Sequence, residues 1–374
     1  MQRRMDALPQ ILRPFTAAKR ELPRALVLTG HRGAGKTTFL LYHARGRRIL
    51  YLSADNPLIS AIPLYEAVTA VFMYGYEGVI IDEVHFAREW SIHLKALYDD
   101  FPDRAIWASD SSSLVLRKGR GDLSRRFVPL SMPLLSFREY ASLVTGQTYP
   151  TFDPFDKIPV QGDARLLELF RAYRKHGTRP FFQEGAFGER MMAVLEKTLH
   201  SDIPFFIPRI TDDNIRLMNA VVGYLAKSAI PRLHVRSLCA DWNIGAEKLY
   251  QLLFVMESVG ILRVIRKERD TKAQSVGHKL FFGDPVYYDV LGGDPGTARE
   301  ALAAAMLEEA GMTVTATRHE PDGDFVVTRP GKEAVVLEVE GPSKGKKNAD
   351  YLIRDDTDIP AGTTIPLWAL GFMY

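Results

Sequence analysis

Cysteine is nearly absent: Cys239 is the only one in 374 residues. That excludes an intrachain disulfide framework and fits a reducing compartment, so a cytoplasmic location is expected. The nine histidines show no H-x₃-H spacing paired with cysteines, which leaves no zinc site to propose. Apolar runs long enough to span a membrane are missing too. The start, Met1-Gln2-Arg3-Arg4-Met5, is not followed by a hydrophobic signal segment. Strong net charge is likewise lacking, at +3. The balance hides a basic lobe, since residues 1–50 hold eleven Lys and Arg against Asp6 and Glu21. Such a lobe suits nucleic acid, nucleotide phosphates or acidic patches elsewhere in the chain. With 46% hydrophobic and 25% charged residues the composition is that of a soluble globular protein. The length predicts two or three domains.

What is present is most informative at Gly30-His31-Arg32-Gly33-Ala34-Gly35-Lys36-Thr37-Thr38, which fits the phosphate-loop pattern G-x-x-x-x-G-K-T. It follows the apolar run Ala25-Leu26-Val27-Leu28 and precedes a helix-like segment. In that setting backbone N–H groups and a helix N-terminus cradle phosphates. Lys36 would reach the β/γ oxygens of ATP, and the Thr37 hydroxyl would hold Mg²⁺.

Around this loop, runs at 25–29, 48–53, 78–82, 104–108 and 126–130 read as strands, with helical patterns at 36–45, 62–74 and 88–98 between them. The alternation predicts an α/β fold with a parallel sheet covered on both faces. The third strand delivers Asp82 to its C-terminal edge, opposite Thr37, as a holder of the Mg²⁺ water shell. Glu83 stands one position on, where it can polarise the attacking water. The fourth strand runs into Ser109, Asp110 and Ser111, which either sense the γ-phosphate or cap the next helix. Arg125 and Arg126 close a basic stretch beginning at Arg117. They read as an arginine finger acting across a subunit boundary or as a solvated loop.

GHRGAGKTT at 30–38, VIIDEVHFAREWSIHLKALYD at 79–99, ASDSSSLVL at 108–116 and PLSMPLLSFREY at 129–140 together resemble a known family. It is the group of AAA+-related P-loop ATPases of archaea and bacteria that carry a C-terminal DUF4143 or restriction-endonuclease-like region. The match covers about 20–145 well and the remainder loosely. The resemblance implies ATP and Mg²⁺ binding by the glycine loop and Thr37, and hydrolysis supported by Asp82 and Glu83. The Gly-Ser usual after the fourth strand reads Ser109-Asp110-Ser111 here.

Residues 146–160 read as a linker and 163–200 as lid-like helices. Segments 211–227 and 234–265 suggest a winged helix, with Ala246 to Gly260 as its recognition-like helix. That helix holds only Lys248, whereas the wing holds Arg263, Arg266, Lys267, Arg269, Lys272 and Lys279. Contact with double-stranded DNA and a structural or protein-binding role both stay open. Beyond 291, a helix at 297–310, strands at 312–318, 323–329 and 333–340, a short helix near 347–354 and a strand at 364–370 match a restriction-endonuclease-like order. Asp324 and Glu338 have the D-x₁₃-E-x-K spacing of a second metal site, but Glu340 stands where that pattern has Lys. The unit is then either an active nuclease or a degenerate domain kept for binding or architecture.

Three domains are therefore expected: a P-loop ATPase of AAA+/ASCE type at 1–150, a helical lid and winged helix at 151–290, and a small α/β domain at 291–374. The expected function is that of an ATP-binding, Mg-dependent, ATP-hydrolysing switch, with a homo-oligomer or a protein client as partner and no membrane. The alternative is an ATP-regulated DNA-binding or DNA-cleaving protein.

Overall fold

The computed structural model describes residues 2–18, 20–112, 120–160, 162–206, 210–229, 235–268, 278–341 and 348–374. They form two compact units, Met1–Leu134 with Asp202–Pro208, and Leu135–Ser201 with Arg209–Tyr374. The boundaries expected at 150 and 290 do not coincide with this division.

In the first unit the strands are β1 (Ala25–Thr29), β2 (Ile49–Ser53), β3 (Gly78–Asp82), β4 (Ala105–Asp110) and β5 (Val128–Ser131). Their order is β2-β3-β4-β1-β5 and every pair is parallel. β1, β3 and β4 are buried along their whole length, as central strands covered on both faces must be. The helices Lys36–His43, Leu64–Met73 and Trp90–Asp100 lie between strands where the helical spacing placed them. β4 runs two residues further than its apolar stretch predicts. Ser109 and Asp110 continue the ladder opposite Leu28 and Thr29, because each finds a polar partner inside the unit.

Arg13 ties the loop region of this unit together. It is 4% exposed and donates from Nη1 to Ala34 O at 3.0 Å and Pro133 O at 3.1 Å, and from Nη2 to Leu134 O at 3.3 Å. Arg13→Met would strand these carbonyls. The expected loss is about 1–3 kcal/mol of stability in urea unfolding. An unchanged midpoint would show that other donors replace the guanidinium.

In the second unit the hairpin strands are β6 (Leu262–Ile265) and β7 (Lys279–Phe282). The sheet strands are β8 (Thr313–Ala316), β9 (Phe325–Thr328), β10 (Val335–Glu340), β11 (Tyr351–Arg354) and β12 (Thr364–Pro366), in the order β12-β11-β10-β9-β8. β8, β9 and β10 are antiparallel neighbours, whereas β10, β11 and β12 run parallel. The helix Pro295–Glu309 buries Ala301 to Leu307 without a break, as an element covered on several sides does. Two expectations are corrected. The stretch 347–354, expected as a short helix, contains β11, since Tyr351, Leu352 and Ile353 suit a pleated ladder and pair along β10. The strand expected at 364–370 stops at Pro366, and Leu367–Leu370 is a buried helical turn.

The LSFREY stretch serves this second unit. Ser136 caps the helix Phe137–Thr145 in a capping box with Glu139. Phe137 packs its ring against Phe170, Tyr173 and Phe372 at 5.0–5.5 Å. Arg138 and Ser136 both donate to the Tyr374 carbonyl.

Candidate functional site

The glycine loop leaves β1 with Gly30, Gly33 and Gly35 at φ 152°, 79° and 101°. At Gly30 a Cβ would also stand 2.5 Å from Met132 O, so only glycine fits there. Gly35 ends the turn at the start of the helix Lys36–His43, whose N-terminus therefore faces the loop. Lys36 is buried, and its Nζ donates to Gly30 O at 2.8 Å and His31 O at 3.1 Å. Burial lowers its pKa, against the pull of Glu83 and Asp82. Ala34 is fully buried under the loop, and Thr38 is half-buried in the first helical turn.

Asp82 is held by three hydroxyls. Thr37 Oγ1 donates to its Oδ2 at 2.6 Å, Tyr51 OH to the same oxygen at 2.9 Å, and Ser109 Oγ to Oδ1 at 2.5 Å. The expected pair Thr37 and Asp82 thus meets, and both offer the hard oxygen donors that suit Mg²⁺. Burial, and then the Asp82 charge, push the Tyr51 hydroxyl pKa up, so it remains a donor.

Glu83 lies beside this group. Its Oε2 accepts from Ser111 Oγ at 3.0 Å, and its Oε1 lies 3.6 Å from Arg32 Nη2. The same Arg32 nitrogen contacts both carboxylate oxygens of Asp202 at 2.9 Å. Burial works against the Arg32 charge, but Glu83 and Asp202 outweigh it and raise the pKa. Asp110 is fully buried and meets His85 Nδ1 at 2.7 Å; burial pushes its pKa up while His85 opposes the shift.

All three residues read as sensors therefore reach the carboxylate cluster, Ser109 on Asp82, Ser111 on Glu83 and Asp110 on His85. Arg126 instead pairs with Asp99 at 2.8 and 2.9 Å, and Arg125 is exposed. Arg117 and Lys118 lie outside the described residues. Tyr51 and Asp202 join the site without having been singled out for it, and His85, which the sequence places only at its edge, is buried within it. Tyr51 left a faint signal, a polar tip in the run Ile49-Leu50-Tyr51-Leu52; Asp202, 170 positions from Arg32, left none.

Three of the wing cations are paired with carboxylates of the chain. Arg263 bonds Glu308 and Glu309, Arg266 bonds Glu257, and Lys279 bonds Glu300 at 2.6 Å and Asp324 at 2.9 Å. Arg263 and Lys279 are largely buried, and a buried cation needs a counter-charge. Arg269 and Lys272 lie outside the described residues. Asp324 uses its second oxygen to accept the Val339 N–H at 2.9 Å, and Glu338 is fully buried on β10.

Comparison with known proteins bears on the first unit most directly. Residues 22–141 match the model of the AAA domain family AAA_14. The chain carries an AAA-type P-loop ATPase domain. A longer likeness is to an uncharacterized protein of Methanocaldococcus jannaschii, 25% identical over 93% of this chain and 80% of that protein. Among solved structures, a Walker-type ATPase of Pyrococcus abyssi is 15% identical, covers 72% of this chain and 91% of its own, and has a TM-score of 0.44. A RuvB variant of Thermotoga maritima is 16% identical, covers 66% and 82%, and has a TM-score of 0.35. No helix among the described residues is long and apolar enough to cross a membrane.

Proposed function

We propose that the chain binds ATP with Mg²⁺ at the glycine loop, hydrolyses it, and uses the cycle as a switch. The observation that supports this reading best is the convergence of Thr37 and Asp82 at 2.6 Å with Glu83 one residue on, at the C-terminal ends of β1 and β3. Lys36 exchanges its two carbonyl partners for phosphate oxygens, which favours its charged form again. Thr37 and Asp82 would hold Mg²⁺, which supplies positive charge to the phosphates. Glu83 accepts a proton from the attacking water, while Ser111 and Arg32 keep its carboxylate in place. Nothing covalent is asked of the protein: positioning and charge carry the reaction.

Arg125 or Arg126 would complete the charge only across a subunit boundary in a homo-oligomer, and Arg126 would first have to leave Asp99. The three-part division at 150 and 290, with a winged helix and a restriction-endonuclease-like C-terminal domain, is the organisation we propose around this engine. The competing DNA reading has less support. Arg263, Arg266 and Lys279 are already neutralised internally, and Lys279 occupies the Asp324 oxygen that a divalent ion would need. A second metal at Asp324 and Glu338 therefore does not fit the donor set, and we derive no cleavage step through it.

The test is phosphate release by the full chain with ATP and Mg²⁺, with and without duplex DNA. Release at an equal rate in both conditions is expected. Stimulation by DNA would restore the competing reading, and no release at all would reduce the proposal to nucleotide binding.

A further inference from the structure

Glu83 adopts a left-handed backbone conformation, φ 51° and ψ 51°. A non-glycine residue is held there at a cost on the order of 1 kcal/mol, so its surroundings must fix it. The residues that follow, Val84–Phe86, make a single 3₁₀ turn with His85 in its middle. His85 is 1% exposed, and both its backbone N–H and its Nδ1 reach Asp110 Oδ2, at 3.1 and 2.7 Å. One carboxylate oxygen thus grips the turn by main chain and side chain together. The other oxygen accepts the Ser112 N–H at 2.9 Å. Asp110 is the last residue of β4 and lies opposite Thr29, the residue before Gly30. A rigid path therefore runs from the sheet beside the glycine loop, through Asp110 and His85, to the turn that orients Glu83. The path ends with His85 Nδ1 3.7 Å from Glu83 Oε2.

We propose that His85 and Asp110 are positioning residues that aim the Glu83 carboxylate at the attacking water, a role that rests on the ATPase reading above. Ligand atoms of Glu83, His85 and Asp110 lie within 4.8 Å of one another, a spacing that also admits a metal ion. The hydrogen bonds decide against it. Asp110 spends one oxygen on His85 and the other on Ser112, and Ser111 donates to Glu83. The hydrogen bonds from the His85 backbone and ring to Asp110 are buried, where such bonds fix geometry. Here the geometry fixed is that of the group placed to take the proton.

The experiment measures kcat for phosphate release and, separately, the dissociation constant for ATP, in the full chain and in His85→Ala, His85→Asn and Asp110→Asn. His85→Ala is expected to lower kcat about tenfold to a hundredfold, the scale of a displaced catalytic group. Its ATP affinity should stay within about threefold of the parent, because the phosphate contacts are untouched. The amide nitrogen of His85→Asn stands where Nδ1 stood, so it should recover most of the rate. Asp110→Asn, which keeps shape and turns one acceptor oxygen into a donor, should lower kcat alone and serves if His85→Ala fails to fold. Parent-like kcat in both His85→Ala and Asp110→Asn overturns the role. So does a loss shared equally by His85→Ala and His85→Asn along with ATP affinity, since that is the mark of general damage. Glu83→Gln serves as the reference. If it is inactive while His85→Ala is unaffected, only the positioning role falls; if it is as active as the parent, Glu83 does not take the proton and its assignment falls together with the positioning role, whereas no release by the parent itself would remove the ATPase reading.

Discussion

Glu83→Gln is expected to leave ATP bound and to slow phosphate release by about 10²–10⁴-fold, the contribution of a positioned general base. The substitution keeps the side chain's length and its oxygen, so Ser111 Oγ can still donate at the 3.0 Å position. It removes the basic lone pair and the charge facing Arg32. Nothing in the phosphate grip changes, because Lys36 is held by Gly30 and His31 and Thr37 by Asp82. Binding and chemistry should therefore separate cleanly, with ATP affinity near the parent value and single-turnover hydrolysis lost. Release within a few-fold of the parent would mean that another group takes the proton. It would also leave the left-handed conformation at Glu83 without a catalytic reason.

Legibility of the site followed sequence distance. The glycine loop was readable because its glycines, Lys36 and Thr37 act within eight consecutive residues whose spacing the chemistry dictates. β1, β3 and β4 were readable because burial on both faces demands unbroken apolar runs. The groups around them were not, for each contact depends on which strand lies next to which. Tyr51 reaches Asp82 because β2 pairs with β3 in register, Tyr51 opposite Ile80. Asp202 reaches Arg32 because the chain returns to the first unit at 202–208. Lys279 shows the same limit in reverse. Its sequence neighbourhood reads as a basic wing, yet the register of β7 and the helix Pro295–Glu309 set it between Glu300 and Asp324. A charge in sequence has a sign, and only the fold gives it a partner. β11 was misread because four residues hold too little periodicity to separate strand from helix.

The largest loss of stability is expected from Asp284→Ala in the second unit. Asp284 is fully buried and Arg179 is 2% exposed. Oδ2 of Asp284 takes Arg179 Nη2 at 2.9 Å and Thr178 Oγ1 at 3.0 Å, while Oδ1 takes the Val286 N–H at 3.2 Å. Removing the carboxylate leaves a guanidinium in the interior with its counter-charge gone. Breaking such a pair costs about 3–5 kcal/mol. For a unit of this size that corresponds to a fall of about 6–20 °C in Tm. Arg179→Met combined with Asp284→Leu removes both charges and fills the volume with apolar atoms. The double variant should therefore be markedly more stable than Asp284→Ala despite carrying more changes. Thermal unfolding of both variants beside the parent separates the two explanations. If the double variant is no better than the single one, the carboxylate matters through Thr178 and Val286, as a hydrogen-bonding corner rather than as an ion. If it recovers, the cost lay in the abandoned guanidinium, and the pair holds the local geometry without adding net stability.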